Sequence, residues 1–445
     1  MTDLLSLGAA GVRGYSRALS TIGDNIANAQ TAGYVRRTAV LTEQAPGNTS
    51  ILYKQQVSPG GSVATGVTRS VDPWLIEDAR TSSSDAGRTG AKLNWLENTE
   101  SALANGGAGV GTAMTAAFNR ADELAADPTN LARRSAFLDS MSTVASTFRS
   151  TADGLSRAAD GVETAARLTV GQVNTDVEAL ARVNEGLLRA RDGSTNQASL
   201  LDERDRLLNS ISTSVPVKIT YDDKGAASLS IGGNTLLNGA TRSTLAIDAA
   251  ADGRLTLSMA GASLPSTPLS VTSGTIAGQI EGADHIASTR SAVDTQANAF
   301  AAQMNAQHAA GRDSAGNPGV ALFTTGAGAA DLVANALAPS QVAAADASGN
   351  NGNALAFGNL RGANDGEAKW ANLIAQQSQT VSSTRAQDTV TTARRDGAAE
   401  ARDNLSAVDL DREAADLVRY QQAYDAAARV LQVARETMQS IMNAL

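Results

Sequence analysis

Cysteine is absent from the 445 residues of the sequence. The chain therefore forms no disulfide bonds and offers no thiolate for catalysis or metal binding. Aromatic residues make up only 3% of the chain, so few large side chains are available to line a ligand pocket. These shortages disfavour disulfide scaffolds, cysteine enzymes and cysteine-based metalloproteins.

Long apolar runs and extended basic clusters are also missing. No segment approaches the roughly 18 apolar residues of a membrane-spanning helix, and residues 1–8 lack the basic region of a Sec signal peptide. The net charge of −9 disfavours nucleic acid as a partner. We interpret the short basic pairs as solvated faces; they are Arg36-Arg37, Arg133-Arg134 and Arg394-Arg395. We expect no nucleic-acid partner, no membrane partner and, if the chain is exported, a route other than Sec.

The motifs of common catalytic classes do not appear. The glycine-rich stretch 106–111 departs from the dinucleotide fingerprint, because Ala108 occupies the place of the second glycine. His285 and His308 lie about six turns apart on one predicted helix, too far to share a metal ion, and we interpret them as surface or helix-end residues. We interpret the acidic pair Asp202-Glu203 as a solvated helix face. The sequence predicts no catalytic residue, no metal ligand and no cofactor, and hence a protein that is not an enzyme.

Apolar residues recur every seven positions at both ends of the chain. The rows are Leu5, Val12, Leu19 and Ile26 near the start, and Leu410, Leu417, Tyr424, Leu431 and Met438 near the end. Such heptad rows are typical of coiled-coil helices, and each apolar stripe must be buried against a partner. We predict that the terminal helices pair as a coiled coil and that these two rows form an assembly interface.

Between its ends the chain is predicted to be helical, with one small β insert. Asp127-Pro128 predicts the start of a helix of about sixty residues, and a last helical region is expected over 365–445. Alternating apolar residues and hairpin turns predict strands over 213–272, with the ends of this insert close together. We divide the chain into a terminal coiled-coil domain, a helical-rod middle domain with extended segments and a small all-β outer domain, which comprise 1–45 with 400–445, 46–212 with 273–399, and 213–272.

Two segments carry a resemblance to a known family. The stretch Asn25 to Tyr34 resembles the signature of flagellar rod, hook and hook-associated proteins, in which an Asn-Ile-Ala-Asn helix ends at Thr-x-Gly-Tyr or Thr-x-Gly-Phe. The stretch Val408 to Leu417 resembles the shared ending of these axial proteins. The signature positions are Asn25, Ile26, Asn28, Thr31, Gly33, Tyr34, Asp409 and Leu410. Internal stretches at 127–133, 200–208 and 304–323 are similar to the hook-associated protein 1 branch of this family.

The resemblance implies a structural role in the bacterial flagellum and an axial-protein architecture. Members of this branch are exported unfolded through the flagellar type III apparatus, which a chain without cysteine suits because no premature crosslink can form. They assemble as a ring of subunits on the hook, in contact with the hook protein and a second junction protein, and a chaperone binds their C-terminal region. The expected location is therefore the extracellular flagellum.

Two alternatives remain at this point. One is another axial protein, such as a hook protein, a rod protein or a different hook-associated protein. The other is a secreted hydrolase with flagellar-type ends, which a deep pocket with convergent carboxylates would favour.

Overall fold

A computed structural model describes residues 2–44, 61–103, 109–261, 264–362 and 366–444. The first half of the glycine-rich stretch 106–111, residues 106–108, lies outside these residues. The helices are α1 Thr2–Ala27, α2 Pro73–Leu103, α3 Val110–Ala126, α4 Leu131–Arg189, α5 Thr195–Ser214, α6 Thr275–Ala310, α7 Gly352–Gly358, α8 Gly366–Ser406 and α9 Leu410–Ala444. The strands are β1 Arg37–Gln44, β2 Gly61–Arg69, β3 Lys218–Tyr221, β4 Ala227–Ile231, β5 Asn234–Asn238, β6 Thr241–Ala249, β7 Leu255–Gly261, β8 Leu264–Leu269, β9 Phe323–Thr324 and β10 Val333–Ala334. The predicted class, mainly α with a small β insert, is confirmed.

The long helix α4 is confirmed over 59 residues, but its predicted start is wrong. Asp127 instead ends α3, and its backbone N–H donates to the carbonyl of Leu124. The true cap is Asn130, whose side-chain oxygen accepts the N–H groups of Ala132 and Arg133 at 2.9 and 3.3 Å. Asn130 satisfies two of the open N–H groups of the first turn and so fixes where the helix begins.

The last helical region is two helices rather than one. Helix α8 ends at Ser406 and α9 begins at Leu410. The carboxylate of Asp409 accepts the N–H groups of Asp411 and Arg412 at 3.0 and 3.3 Å and thereby caps α9. The signature position Asp409 is thus explained by a helix start that the heptad pattern alone did not indicate.

One apolar core joins α3, the first half of α4 and the second half of α6. Phe300 lies at its centre, with ring centroids 6.1 Å from Phe118 and 5.9 Å from Phe323. The loop between α6 and α8 closes over this core. Arg134, which is buried, holds the loop by donating to the carbonyl of Val342 at 2.8 Å, so the pair Arg133-Arg134 is not simply a solvated face as we had expected.

His308 holds the same loop from the last turn of α6. Its ring accepts the N–H of Ala343 on Nε2 at 2.9 Å, and its Nδ1 is 2.5 Å from the carbonyl oxygen of Val320, to which it donates. The helix-end position is as predicted, but the side chain is fully buried rather than at the surface. Burial lowers the pKa of His308 below its ordinary value and outweighs the opposing influence of the Val320 hydrogen bond and of Asp313.

The buried histidine predicts a pH dependence of stability. Below the unfolded pKa of about 6.5, the unfolded chain binds a proton on His308 that the folded chain resists, so stability must fall as pH is lowered. Between pH 7 and 5.5 we expect the free energy of unfolding to decrease with a slope of up to about 1.4 kcal/mol per pH unit. Urea titrations at several pH values measure this slope. His308→Gln should flatten it, and an unchanged slope in that variant would contradict the assignment.

A second apolar core joins the β insert to the body of the protein. The strands form one antiparallel sheet in the order β3 to β8, and its apolar face packs on the second half of α4 and on α5. The side chain of Asn174 on α4 donates to the carbonyl of Leu245 at 2.9 Å and accepts its N–H at 3.0 Å, and Asn184 bonds Ala227 in the same way. The insert therefore shares its core with the helices.

The two ends of the insert lie in contact, as expected. The hydroxyl of Thr275 donates to the carbonyl of Thr213 at 3.2 Å, and a Cβ placed on Gly274 would lie 2.5 Å from the carbonyl oxygen of Ser214. The division of the chain into three domains remains a prediction.

The terminal helices α1 and α9 pack side by side and antiparallel. A Cβ added to Gly8 would lie 3.1 Å from the backbone N and Cα of Leu431, and one added to Gly11 would lie 3.1 Å from the Cβ of Ala427. Farther along, the rings of Tyr15 and Tyr420 have centroids 6.3 Å apart. The glycines allow this close approach because no side chain separates the two backbones.

This packing predicts opposite effects for two glycines of the same helix. Gly8→Leu should push α9 away, because two of the three atoms nearest to the new Cβ are backbone atoms. Gly23→Leu should leave the pair intact and stabilise α1 by about 0.5–1 kcal/mol, because no atom lies within 4 Å of its added Cβ. Amide exchange in α1 and α9 measures how well the two helices remain paired in each variant. Equal protection in the two variants would mean that the helices do not depend on this contact.

Candidate assembly surface and the ion-pair cluster behind it

The predicted assembly rows are divided between half-buried and exposed positions. Leu5, Val12 and Leu19 on α1 are half-buried, and so are Leu417, Tyr424 and Leu431 on α9. Ile26, Leu410 and Met438 are exposed. Leu431 lies against Gly8, so part of the C-terminal row is used within the chain. The role of the rows as a surface between subunits remains a prediction.

A second apolar row on α9 lies off the predicted ladder. Its exposed members are Val430, Val433 and Ile441. Leu4 of α1 joins Val430 and Val433 in lining a shallow groove of about 360 Å³. Spacings of three and four along 430, 433, 437 and 441 are the signal that could have identified this face from the sequence.

The signature residue Asn25 is the centre of a buried hydrogen-bond network. Only 1% of this residue is exposed. Its amide donates to the carbonyl of Arg37 at 2.8 Å and to the Glu413 carboxylate at 3.0 Å. Its oxygen accepts the Tyr34 hydroxyl at 2.9 Å and the N–H of Arg37 at 3.0 Å. One side chain thus joins α1, the start of β1 and α9.

The rest of the N-terminal signature forms the turn that reverses the chain after α1. The Asn28 amide donates to the carbonyl of Asp24 at 2.8 Å, and the Thr31 hydroxyl donates to the Asn28 side chain at 3.3 Å. Gly33 has a φ of +81°, a conformation that residues with a Cβ rarely adopt. The turn presents Tyr34 to Asn25. Burial raises the pKa of Tyr34 to about 12, although Arg37 acts in the opposite direction, so the hydroxyl remains a donor.

Arg36 connects this turn to the C-terminal signature. Its guanidinium contacts the carboxylates of Glu413 and Asp416 at 2.6 and 3.3 Å. Glu413 is fully buried, and its two oxygens are shared between Arg36 and Asn25. The two signatures, at opposite ends of the sequence, are therefore one structural unit.

A cluster of arginines and aspartates lies directly behind the signatures. Arg37 and Arg69 are cross-strand partners in the hairpin of β1 and β2, and both contact Asp202 of α5, at 2.6 and 2.7 Å. Arg69 also contacts Asp205 at 2.7 Å, and Arg80 of α2 contacts Asp205 at 3.2 Å. Burial alone would raise the pKa of Asp205, but Arg204, Arg69 and Arg80 outweigh it and hold that pKa below its ordinary value.

Two sequence interpretations are wrong at this cluster. Arg37 is only 5% exposed and Asp202 is buried, so neither belongs to the solvated face that we expected. Glu203, the neighbour of Asp202, does point outward and pairs with Arg206 on the same helix. The exposed pair Arg394-Arg395 is as predicted. Apolar periodicity carries no signal for ion pairs between distant segments, and sequence reasoning therefore missed this cluster.

A cavity of about 370 Å³ lies under the signature turn. Three carboxylates line it, and each has a partner: Asp72 caps α2, Asp205 contacts arginines and Asp403 contacts Arg402. Over the described ranges, no three acidic or histidine side chains are grouped as a metal ion requires. None of the helices described is both long and apolar enough to cross a membrane.

Relatives of known identity match this chain along most of its length. Flagellar hook-associated protein 1 of Salmonella typhimurium is 25% identical over 335 residues, which are 73% of this chain and 60% of that protein. The protein of the same name from Bacillus subtilis is 24% identical over 496 aligned positions, covering 96% of this chain and 95% of the relative. The match thus spans less than two thirds of the Salmonella protein.

One solved structure has a similar fold. It is described as the flagellar hook junction protein FlgK from Burkholderia pseudomallei, and it aligns with a TM-score of 0.51 over 56% of this chain and 46% of that chain. The sequence identity is 23%. At this level the likeness shows a common fold.

Two family models match separate regions of the chain. The model of the C-terminal segment of flagellar basal body rod FlgEFG proteins matches residues 402–444, which include α9 and its cap. The model of the helical domain of flagellar hook-associated protein FlgK matches residues 96–323, just over half of the chain. The chain therefore belongs to the flagellar hook-associated protein FlgK family.

Proposed function

We propose that the chain is a structural subunit of the bacterial flagellum that assembles at the tip of the hook and joins the hook to the filament. The observation that carries this proposal is the terminal helix pair of a FlgK-family chain, which leaves apolar side chains open on α9. Two packed helices cannot bury every apolar row on their surfaces, and exposed apolar patches mark surfaces for association. The partners that fit are neighbouring copies in a ring, the hook protein and a second junction protein.

Export through the flagellar type III apparatus is part of the proposal, with the extracellular flagellum as the final location. The absence of cysteine suits transport of an unfolded chain. The exposed apolar side chains of α9 also offer a chaperone a binding surface before assembly, namely Val430, Val433, Met438, Ile441 and Met442. One helix thus meets two successive partners in this account, first the chaperone and then the neighbouring subunits.

The carboxylates of the cavity favour a structural role over catalysis, because each of them already has a partner. The carboxylates that line the cavity under the signature turn cap a helix or neutralise arginines. Each therefore has a structural task already. The alternative of a hook or rod protein is disfavoured by the match to the FlgK helical domain, which covers all of α4 and α6.

Deletion of the gene tests the proposed position in the flagellum. Cells without the chain should build complete hooks that carry no filament, and the filament protein should appear in the medium. Electron microscopy of the cells and gel analysis of the medium measure the two results. Normal filaments would contradict the proposal. Loss of the hooks themselves would support the rod or hook alternative instead.

A further inference from the structure

The dipeptide Asn238-Gly239 lies at the tip of the hairpin that joins β5 to β6. Strand β5 ends at Asn238, which pairs with Thr241 at the start of β6, so Gly239 and Ala240 form a two-residue loop. Gly239 has a φ of +58°, and no atom beyond its chain neighbours lies within 4 Å of a Cβ added to it. The described residues leave this loop uncovered, and its backbone can therefore move without disturbing a neighbouring element.

The side chain of Asn238 is held only weakly. It is exposed, and its oxygen accepts the Ser228 hydroxyl at 3.4 Å, close to the limit of a hydrogen bond. Among the described residues, neither its amide nitrogen nor the backbone N–H of Gly239 donates to a protein group. The side-chain amide of Asn238 and the backbone nitrogen that follows it are therefore both open to water.

An asparagine that precedes glycine can react with its own main chain. The backbone nitrogen of the glycine attacks the Cγ of the asparagine, and a bond forms between them. The bond from Cγ to the side-chain nitrogen breaks, and ammonia leaves with the proton that the glycine nitrogen has lost through water. Water then opens the cyclic imide at either of its carbonyls, which yields aspartate or isoaspartate. Glycine favours the attack because no side chain shields its nitrogen.

The same dipeptide at Asn351-Gly352 lacks this freedom. The Asn351 amide donates to the carbonyl of Ala125 at 2.7 Å, which holds it against the end of α3. Gly352 begins α7, and a Cβ added to it would clash with the carboxylate of Asp346. The Gly352 nitrogen therefore cannot approach the Asn351 side chain unless the start of the helix opens. The pair Asn105-Gly106 lies outside the described residues.

From these observations we propose that Asn238 is a self-modifying site, which loses ammonia and becomes aspartate or isoaspartate while the chain stays folded. Each event adds a negative charge to the exposed tip of the insert, and isoaspartate also adds a methylene to the main chain where β5 ends. The product accumulates with the age of the molecule, because no group of the protein reverses the reaction. The reaction needs only the chain and water, so its test does not depend on the proposed function.

Peptide mass spectrometry of the purified full chain tests this site. The folded protein is kept at mildly alkaline pH and digested at intervals, and conversion at Asn238 and at Asn351 is measured in separate peptides. We expect conversion at Asn238 to be at least severalfold faster and to give both products. The rate should increase with pH, because base removes the proton of the Gly239 nitrogen. Isoaspartyl methyltransferase with a labelled methyl donor identifies the isoaspartate.

The same chain unfolded in urea is the matched control for the sequence itself. There both asparagines are unrestrained and should convert at similar rates, which would assign the difference in the folded chain to the structure. Asn238→Gln should abolish the fast reaction, because glutamine would have to close a larger ring. Equal rates at Asn238 and Asn351 in the folded chain would overturn the proposal. So would conversion of Asn238 that occurs only in urea, because the hairpin would then protect its own tip.

Discussion

Replacing Val433 and Ile441 together with aspartate is expected to leave the free subunit folded and to abolish its incorporation at the hook. The two residues are 61% and 40% exposed, so charges there cost the monomer little. In an assembled interface each lost apolar side chain removes roughly 1.5–3 kcal/mol of burial energy. An unpaired charge in an apolar contact costs several kcal/mol more. Because the contact would repeat in every subunit of a ring, the effect should be complete.

The matched control for this variant lies on the opposite side of α9. Gln432→Asp with Gln439→Asp adds the same charge at exposed positions and should permit normal filaments. Electron microscopy of cells that carry only one variant measures filaments, and the medium must be assayed for exported protein, because the aspartates also lie where a chaperone would bind. Normal filaments in the Val433 and Ile441 variant would show that this row is not an assembly surface.

The signature residue Asn25 is expected to be the most sensitive polar position of the terminal unit. Asn25→Ala removes four hydrogen bonds in a buried site and leaves the Glu413 carboxylate paired with Arg36. At about 1–3 kcal/mol for each buried group left unsatisfied, the loss should total roughly 3–5 kcal/mol once relaxation is allowed for. Amide exchange of α1 and α9 measures this as the free energy of local opening.

Asn28→Ala is the control for that substitution within the same signature. Asn28 is only half-buried, and its amide donates to one carbonyl within the same helix end. We expect a loss of no more than about 1 kcal/mol. Similar losses at both positions would mean that Asn25 acts as an ordinary turn residue and not as the link between the two ends of the chain.

The paired termini could be predicted from the sequence because the heptad rows are local and regular. The rows of Leu5 and Leu410 predict two amphipathic helices, and two such helices in one chain bury apolar surface most readily against each other. The close approach of the two helices at Gly8 was not predictable in the same way. Gly8 carries no apolar side chain, so the place where α1 meets Leu431 is marked only by a small residue.

The cluster of arginines and aspartates could not be predicted, because its members are far apart in sequence. Arg37 and Asp202 are 165 residues apart, and a charged residue in an amphipathic pattern is ordinarily placed on the solvated side. Only the fold shows that β1 begins against α5. The same reason explains the error at His308, whose partners Val320 and Ala343 lie in a loop without apolar periodicity.

The position of the subunit in the flagellum is the central claim, and labelling it in place is the most direct measurement. An epitope tag can be inserted at Gly232-Gly233, a β-turn where no other part of the chain lies within 4 Å of an added Cβ. Gold-labelled antibody on isolated flagella should then mark one narrow band between the hook and the filament. Label along the filament, along the hook or at the rod, or no label on otherwise complete flagella, would contradict the account.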